Sequence, residues 1–259
     1  MHQHRTTTLS HTACAAILHR AWLQDRSISA EVSWDQISEE VNSGRVVILK
    51  GAYEQDRMLR FREAIIRWGV EHAPMPHGQS PSLLPDLNYH RIDDGVIQSV
   101  CPHVFHQYGF KSIDRLDDYL RGEAEEVAKT MKDLQNLIAQ TSFDISLNDL
   151  YLKILHYPSG AGFLAEHQHP LQPQRVGLIT SLSRMDVDVV KGGTTFKTPF
   201  GLVDVAKDHD IGDIVLFRYD LPHAVPLVDP GQELEWQSHA GKWSAVIELR
   251  QTHALSHKS

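Results

Sequence analysis

The stretch YPSGAGFLAEHQHP (residues 157–170), followed by GDIVLF (212–217) and LPHAV (221–225), decides the fold of this chain. Short apolar runs rich in β-branched residues surround these segments and are separated by Gly, Pro and Asp turns, which is typical of β-strands. The predicted strands cover residues 150–157, 175–182, 194–198, 202–205, 213–219, 224–228 and 242–251. Many short strands at this spacing predict a jelly roll, a double-stranded β-helix, over residues 148–252.

The first half of the chain has a different pattern of apolar residues, and their spacing predicts mainly helices. Residues 45–50 predict a short strand, and residues 73–111, rich in Pro and Gly, predict an irregular loop that covers substrate. The sequence therefore predicts one α+β domain, 1–259, in which a mostly helical cap with the substrate loop (1–147) wraps the jelly-roll core (148–252). The helices are expected over about 11–24, from a Ser33–Gln36 capping box to about Gly44, over about 53–70, and from a cap at Ser112 or Asp114 to about Ala139.

Composition narrows the class of function. The chain has 25 basic and 33 acidic residues, a net charge of −8, which argues against nucleic-acid binding and favours a small-molecule partner. No run approaches the length of a membrane span, and the N-terminus lacks the apolar core of a secretory signal. Cys14 and Cys101 form no CxxC pair, so a reducing cytoplasm is expected. The sequence leaves the oligomeric state open.

Three of the 17 histidines are spaced for a metal site. Residues i and i+2 of a strand point to the same face, so His167 and His169 can reach one ion. His223 stands at the start of a later strand, and closure of the barrel would bring it over the first pair. Three histidines in this arrangement form a facial triad with three open coordination positions. Each histidine, taken singly, also fits a solvated or hydrogen-bonded residue.

In their order along the chain, these segments resemble the iron(II) and 2-oxoglutarate-dependent oxygenase superfamily. Its members show Y-x-x-G, H-x-D/E, GG-x-x-F, GD-x-x-x-F, a distal His and a basic-x-Ser strand. The counterparts in this chain lie between Tyr157 and Leu249. The resemblance implies that His167 is the first iron ligand and His223 the distal one, and that Gly193 and Phe196 are framework.

The chain departs from the family pattern where a carboxylate is expected, because His169 occupies that position. We expect His169 to ligate the metal and complete a three-histidine site. It could instead stand aside and leave an open position, as in halogenase-like members of the superfamily, or a bulge could let Glu166 serve. Since Glu166 would point to the opposite face of a regular strand, it is the least favoured of the three.

A cation is needed to hold the far carboxylate of 2-oxoglutarate. Lys242 and Ser244 share one face of the last predicted strand and resemble the family's Arg-x-Ser, although lysine lacks the bidentate fork of arginine. Arg250 lies on the same face and is the alternative anchor, with Arg175 a more distant one. An ordinary exposed strand lysine explains Lys242 equally well.

The resemblance implies an Fe(II)/2-oxoglutarate-dependent dioxygenase, an oxidoreductase that oxidises a small molecule with O2, most plausibly by hydroxylation. One alternative is a cupin-like metal enzyme with the same histidines but no oxo acid, either a dioxygenase or a zinc hydrolase. Another is a non-catalytic jelly roll that binds small molecules. For the substrate, the polar run 88–95 with His103 and His106 could bind an amino acid or another charged metabolite, although a solvated loop is the favoured interpretation of the run.

Overall fold

A single β-sheet of thirteen strands organises the part of the chain described by the computed structural model, which comprises residues 15–72, 74–75, 88–95, 101–140 and 150–249. The strands hydrogen-bond in the order β10-β9-β12-β7-β5-β6-β13-β8-β11-β3-β1-β2, and β4 pairs with β5. In chain order they are β1 (Ala16–Gln24), β2 (Ser27–Ala30), β3 (Val46–Lys50), β4 (Asn88–Asp94), β5 (His103–Phe110), β6 (Leu150–Pro158), β7 (Phe163–His167), β8 (Val176–Ser181), β9 (Thr195–Thr198), β10 (Gly201–Asp204), β11 (Ile214–Arg218), β12 (His223–Val225) and β13 (Gly241–Leu249).

The C-terminal strands form the predicted double-stranded β-helix. One row is β6-β13-β8-β11 and the other is β7-β12-β9-β10. Strand β5 joins the rows because it pairs antiparallel with both β6 and β7. The two rows therefore belong to one continuous sheet that curls around an interior, and the prediction of a jelly-roll core is confirmed.

Within the described residues, three α-helices cover one face of this sheet: α1 (Trp34–Asn42), α2 (Gln55–Glu71) and α3 (Asp118–Ala139). The capping prediction for α1 is confirmed, since the Ser33 hydroxyl accepts a hydrogen bond from the Gln36 amide at 3.2 Å. The buried faces of the helices share one apolar core with the outward side chains of β13, which are Trp243, Ala245 and Ile247. Among the described residues, no helix is both long and apolar enough to cross a membrane.

The helix expected over residues 11–24 is wrong for its described part, because β1 occupies residues 16–24. Along β1 the exposed residues Leu18 and Trp22 alternate with the buried His19 and Ala21, which is a period of two. Strand β1 runs parallel to β3 and antiparallel to β2, so its backbone hydrogen bonds come from partners that a local pattern cannot reveal. The apolar residues fitted a helical period by coincidence.

The first half contributes more strand than expected in two further places. The segment predicted to be irregular contains β4 and β5, which pair antiparallel from Asn88 opposite Phe110 to Asp94 opposite Val104. Helix α3 begins later than Ser112 or Asp114: a 3-10 turn occupies Ile113–Arg115, and Asp117 caps the helix by accepting hydrogen bonds from the amides of Tyr119 and Leu120. The division of one domain into a cap (1–147) and a core (148–252) stays a prediction.

The Gly212-Asp213 corner connects the helical layer to the β-helix. Gly212 has φ +85°, and a Cβ atom there would lie 2.4 Å from the Tyr53 carbonyl oxygen. The carboxylate of Asp213 accepts hydrogen bonds from the amides of Gly51 (2.7 Å) and Asp210 (2.8 Å), and it forms an ion pair with Lys50. This corner therefore fixes where β11 meets β3.

We expect Asp213→Ala to lower the free energy of unfolding by about 2–4 kcal/mol, because it removes an acceptor shared by two amides and a buried ion pair. Denaturant unfolding measures the change. The matched control is Asp208→Ala, an exposed aspartate in the preceding turn, which should change the stability by less than about 0.5 kcal/mol. Equal stability of the two variants would contradict the structural role of Asp213.

Candidate metal centre

The three predicted histidines lie together inside the β-helix. His167 ends β7, His169 follows two residues later, and His223 begins β12 directly opposite His167 in the antiparallel pairing of the two strands. One ring nitrogen from each histidine lies within 4.8 Å of those of the other two. The structure thus brings together three nitrogen donors close enough to share one ion.

Backbone hydrogen bonds orient two of the rings. The Nδ1 atom of His167 lies 3.0 Å from the Ala165 carbonyl oxygen, and the Nδ1 atom of His223 lies 2.8 Å from the Leu221 carbonyl oxygen. A carbonyl only accepts, so each Nδ1 carries the proton and each Nε2 keeps its lone pair for a metal. His169 is oriented differently, because its ring stacks on Tyr219 with the centroids 4.3 Å apart.

All three imidazoles are held in the neutral form that binds metals. Burial lowers the pKa of His167, lowers that of His169 to about 4, and lowers that of His223 well below its ordinary value. The mutual repulsion of the protonated rings acts in the same direction for His169 and His223. The centre is therefore ready for a cation at neutral pH without first losing protons.

Glu166 takes part in a different interaction. Its side chain is 47% exposed and forms an ion pair with Lys197 at 2.7 Å. Among the described residues, the cluster of potential metal ligands contains no carboxylate. The arrangement therefore supports the three-histidine interpretation over the one in which a bulge brings Glu166 to the metal.

A cavity of about 210 Å³ opens beside the histidines. Its walls are mostly apolar, with a few polar and charged groups between the apolar ones. Its polar and charged lining residues include the three histidines, Lys153, Thr194, Tyr219, Ser244 and Glu248. Its apolar lining residues include Phe105, Leu155, Phe217 and Val225.

Lys242 and Ser244 lie on the face of β13 opposite the apolar core. Lys242 is 4% exposed, and within the described residues its ammonium group has no hydrogen-bond or ion-pair partner. Burial lowers its pKa to about 8, opposed only by the nearby charge of Asp204. The hydroxyl groups of Ser244 and Thr194, both in the cavity wall, are buried and have no hydrogen-bond partner in the part of the chain that the structure describes. Lys242 thus lies on the same face of β13 as the unsatisfied hydroxyl group of Ser244, which lines the cavity, although Lys242 itself does not line it.

The other candidate residues lie elsewhere. Arg250 falls outside the described residues, and Arg175 does not line the cavity. The polar run 88–95 forms β4 up to Asp94, and neither it nor His103 and His106 line the cavity. Gly193 and Phe196 fit framework roles: a Cβ atom at Gly193 would lie 2.4 Å from Ala206 Cβ, and Phe196 is fully buried.

Sequence reasoning missed the ion pair of Lys153 with Glu248 in the cavity wall. The period of two along their strands places both side chains toward the interior. This alternation is visible in the sequence. The pairing of β6 with β13, which brings the two residues together, cannot be read from the sequence.

No protein-family model and no curated protein sequence matches the chain. Solved structures do resemble it. A prolyl-4-hydroxylase from Pseudomonas putida aligns with a TM-score of 0.56 at 14% identity, covering 84% of this chain and 98% of that one. A prolyl hydroxylase from Trichoplax adhaerens, in complex with a hypoxia inducible factor peptide fragment, gives 0.55 at 12% identity and coverages of 86% and 92%.

A non-heme alpha ketoglutarate dependent epimerase, SnoN from nogalamycin biosynthesis, aligns with a TM-score of 0.53 at 10% identity, covering 83% of this chain and 81% of that one. At these identities the likeness concerns the fold. The fold expected from the resemblance to 2-oxoglutarate-dependent oxygenases is thereby confirmed.

We expect His167→Ala and His223→Ala each to abolish stoichiometric iron(II) binding, because each removes an oriented Nε2 donor from the cluster. Metal content after anaerobic loading and desalting measures this, and circular dichroism checks the fold. Gln168→Ala is the matched control, since this exposed residue stands between two of the histidines. Full occupancy in either histidine variant would refute the assignment.

The role of His169 needs its own pair of variants. If it ligates, His169→Ala should weaken iron(II) binding by about 10–100-fold or more, the range found when metal-site partners are removed. His169→Asp should retain iron(II), because a carboxylate is also a good ligand. An unchanged iron affinity in the alanine variant would instead indicate an open coordination position.

Proposed function

We propose that this protein is a non-haem iron(II) oxygenase that uses O2 and 2-oxoglutarate to oxidise a small molecule, by hydroxylation. The observation that carries the proposal is the side chain of Lys242, which is 4% exposed and has no hydrogen-bond or ion-pair partner among the described residues, on the same face of β13 as the partnerless hydroxyl of Ser244 in the cavity wall. A protein does not bury a lone cation without a compensating anion, because the desolvation cost is several kcal/mol.

The residues fit the metal. Three neutral imidazoles are suitable ligands for iron, and two of them are oriented by carbonyl acceptors as metal-bound histidines usually are. Zinc and copper accept the same ligands, so the donor set alone does not select the metal. The fold shared with 2-oxoglutarate-dependent enzymes favours iron(II).

The residues also fit the cosubstrate. Lys242 would pair with the far carboxylate of the oxo acid, while Ser244 and Thr194 supply hydroxyl groups that otherwise lack partners. Lys153 is a poorer anchor, since Glu248 already neutralises it. With a pKa of about 8, Lys242 is mostly protonated at neutral pH and loses its charge as the pH rises further.

When bound, iron(II) and 2-oxoglutarate supply the oxidising chemistry: the oxo acid loses CO2 and becomes succinate, taking up one oxygen atom of O2, and the substrate receives the other. The protein's own part is placement and exclusion of water. Tyr219 fixes the His169 ring by stacking, and Phe217 lies with its ring centroid 4.9 Å from that of His223. These aromatic walls keep water from the reacting groups.

A second candidate function follows from the missing carboxylate ligand. A three-histidine centre without an oxo acid is the arrangement of a cupin-like dioxygenase or a zinc hydrolase. In that case Lys242 would have no anion to bind. The two functions therefore differ in whether the protein binds 2-oxoglutarate at all.

Lys242→Met tests the proposal, because it keeps the length and apolar stem of the side chain and deletes the charge. We expect 2-oxoglutarate affinity to fall by about 100-fold or more, corresponding to the roughly 3 kcal/mol or more lost when a buried ion pair is broken. The measurement is anaerobic titration of the iron(II) protein with the oxo acid, followed by the visible charge-transfer band of the chelate. Iron binding itself should persist.

The controls are Lys197→Met, which removes a lysine that is 59% exposed, and Arg250→Met. Loss of oxo-acid binding in the Arg250 variant alone would move the anchor to that residue. A wild-type protein that shows no chelate band would favour the function without an oxo acid. The wild-type affinity should also decline as the pH rises through about 8, where Lys242 loses its proton.

A further inference from the structure

Lys153 and Glu248 form an ion pair in the wall of the histidine cavity, and the function proposed above does not use it. Their side chains are 12% and 14% exposed, so both are largely removed from bulk water yet reachable from the cavity. The Tyr151 hydroxyl lies 3.4 Å from a carboxylate oxygen of Glu248 and donates to it. Two apolar side chains of similar size would fill this wall without the cost of desolvating two charges. The presence of an ion pair here therefore indicates a role beyond packing.

The ion pair is well separated along β13 from Lys242, the proposed cosubstrate anchor, which does not itself line the cavity. Glu248 is six residues beyond Lys242 on the inward face of β13, a separation of about 20 Å at the rise of a strand. Lys153 faces Val246 across the β6–β13 pairing, which makes it a diagonal neighbour of Glu248. Two separate charged sites thus occupy one strand face, and residues between them line the cavity beside the histidines.

The pair is also close enough to the histidines to act on them. The charges of Lys153 and Glu248 both influence the pKa of His167 and of His169, the lysine lowering it and the glutamate raising it. Lys153 and Glu248 line the same cavity as the three histidines, so a molecule bound between the two side chains would share that cavity with the metal ligands. This is the position that a substrate must take in order to be oxidised there.

We propose that Lys153 and Glu248 bind the substrate, and that the substrate is a small zwitterion of the free amino-acid type. Lys153 takes the carboxylate and Glu248 takes the protonated amine, so that one internal ion pair is exchanged for two intermolecular ones and no charge is left unpaired. The inference rests on the proposed function, because it treats this cavity as the place of oxidation.

Charge and size both favour this class of ligand. A simple carboxylic acid would place a second anion beside Glu248, and a simple amine would place a second cation beside Lys153; either outcome brings like charges together in a cavity wall and is costly. The cavity, at about 210 Å³, is smaller than the sites that hold drug-sized ligands, which start at roughly 300 Å³. A molecule with few heavy atoms and both charges satisfies the two constraints together.

The test is calorimetric titration of the anaerobic protein, loaded with iron(II) and 2-oxoglutarate, with each free amino acid and with its N-acetyl and carboxamide derivatives. These derivatives remove the positive and the negative charge in turn. We expect at least one free amino acid to bind and both of its derivatives to bind about 30-fold or more weakly. No binding by any free amino acid, or equal binding by a derivative, overturns the proposal.

Two single variants give a directional result that a merely structural pair would not. Lys153→Met should shift the preference to the carboxamide, because only the amine site remains, and Glu248→Gln should shift it to the N-acetyl derivative. An unchanged preference in both variants overturns the assignment. The double variant Lys153→Met/Glu248→Leu removes both charges while keeping apolar bulk, so it should fold and bind none of the three forms.

The control pair is Lys129 with Asp133 on α3, whose side chains are 48% and 43% exposed. Lys129→Met and Asp133→Asn should leave amino-acid binding unchanged. The chelate band of iron(II) and 2-oxoglutarate is recorded in every sample. A band without charge-dependent amino-acid binding overturns this inference alone, whereas amino-acid binding without the band overturns the proposed oxygenase function and leaves a zwitterion site.

Discussion

The antiparallel pairing of His223 with His167 across β12 and β7 is the constraint on which the site depends. It brings the two imidazoles together with their ring centroids 4.2 Å apart, and the carbonyl groups of Leu221 and Ala165 then fix both tautomers. The pairing register of β12 and β7 shifts between His223 and Val225, so the regular pairing with His167 is made by His223 itself. His169 follows β7 and completes the cluster, and its amide lies 3.4 Å from the Tyr219 carbonyl oxygen.

Because side chains alternate along β13, one face of the strand is apolar and the other carries charged and polar groups. Its outward residues, Trp243, Ala245 and Ile247, belong to the apolar core beneath the helices. Its inward residues include Lys242 at one end and Glu248 at the other. A strand fixed on one side by packing has no freedom to slip, because a shift of one residue would exchange the two faces. The apolar core therefore holds the charged groups in register with the histidines.

The sequence predicted the C-terminal half better than the first half for a physical reason. The strands of the β-helix and the histidines at 167, 169 and 223 follow from local alternation, turn residues and spacing, all of which a sequence displays. The strand character of β1 depends on its pairing with β3 and β2, and the meeting of Lys153 with Glu248 depends on the pairing of β6 with β13. Such long-range pairings are decided by the whole fold, so a local pattern leaves them undetermined.

Replacement of a carboxylate by His169 changes the charge that the site has to balance. Three neutral imidazoles would leave the two positive charges of a divalent ion uncompensated, and Lys242 contributes a further positive charge on the inward face of β13. Under the proposed function a dianionic oxo acid would offset most of this excess, so each positive group would favour its binding. Lys153 and Glu248, by contrast, already cancel each other's charge. A substrate that binds to this pair without disturbing the balance would bring equal numbers of positive and negative charges, so the two charged sites on one strand face would select ligands of different charge.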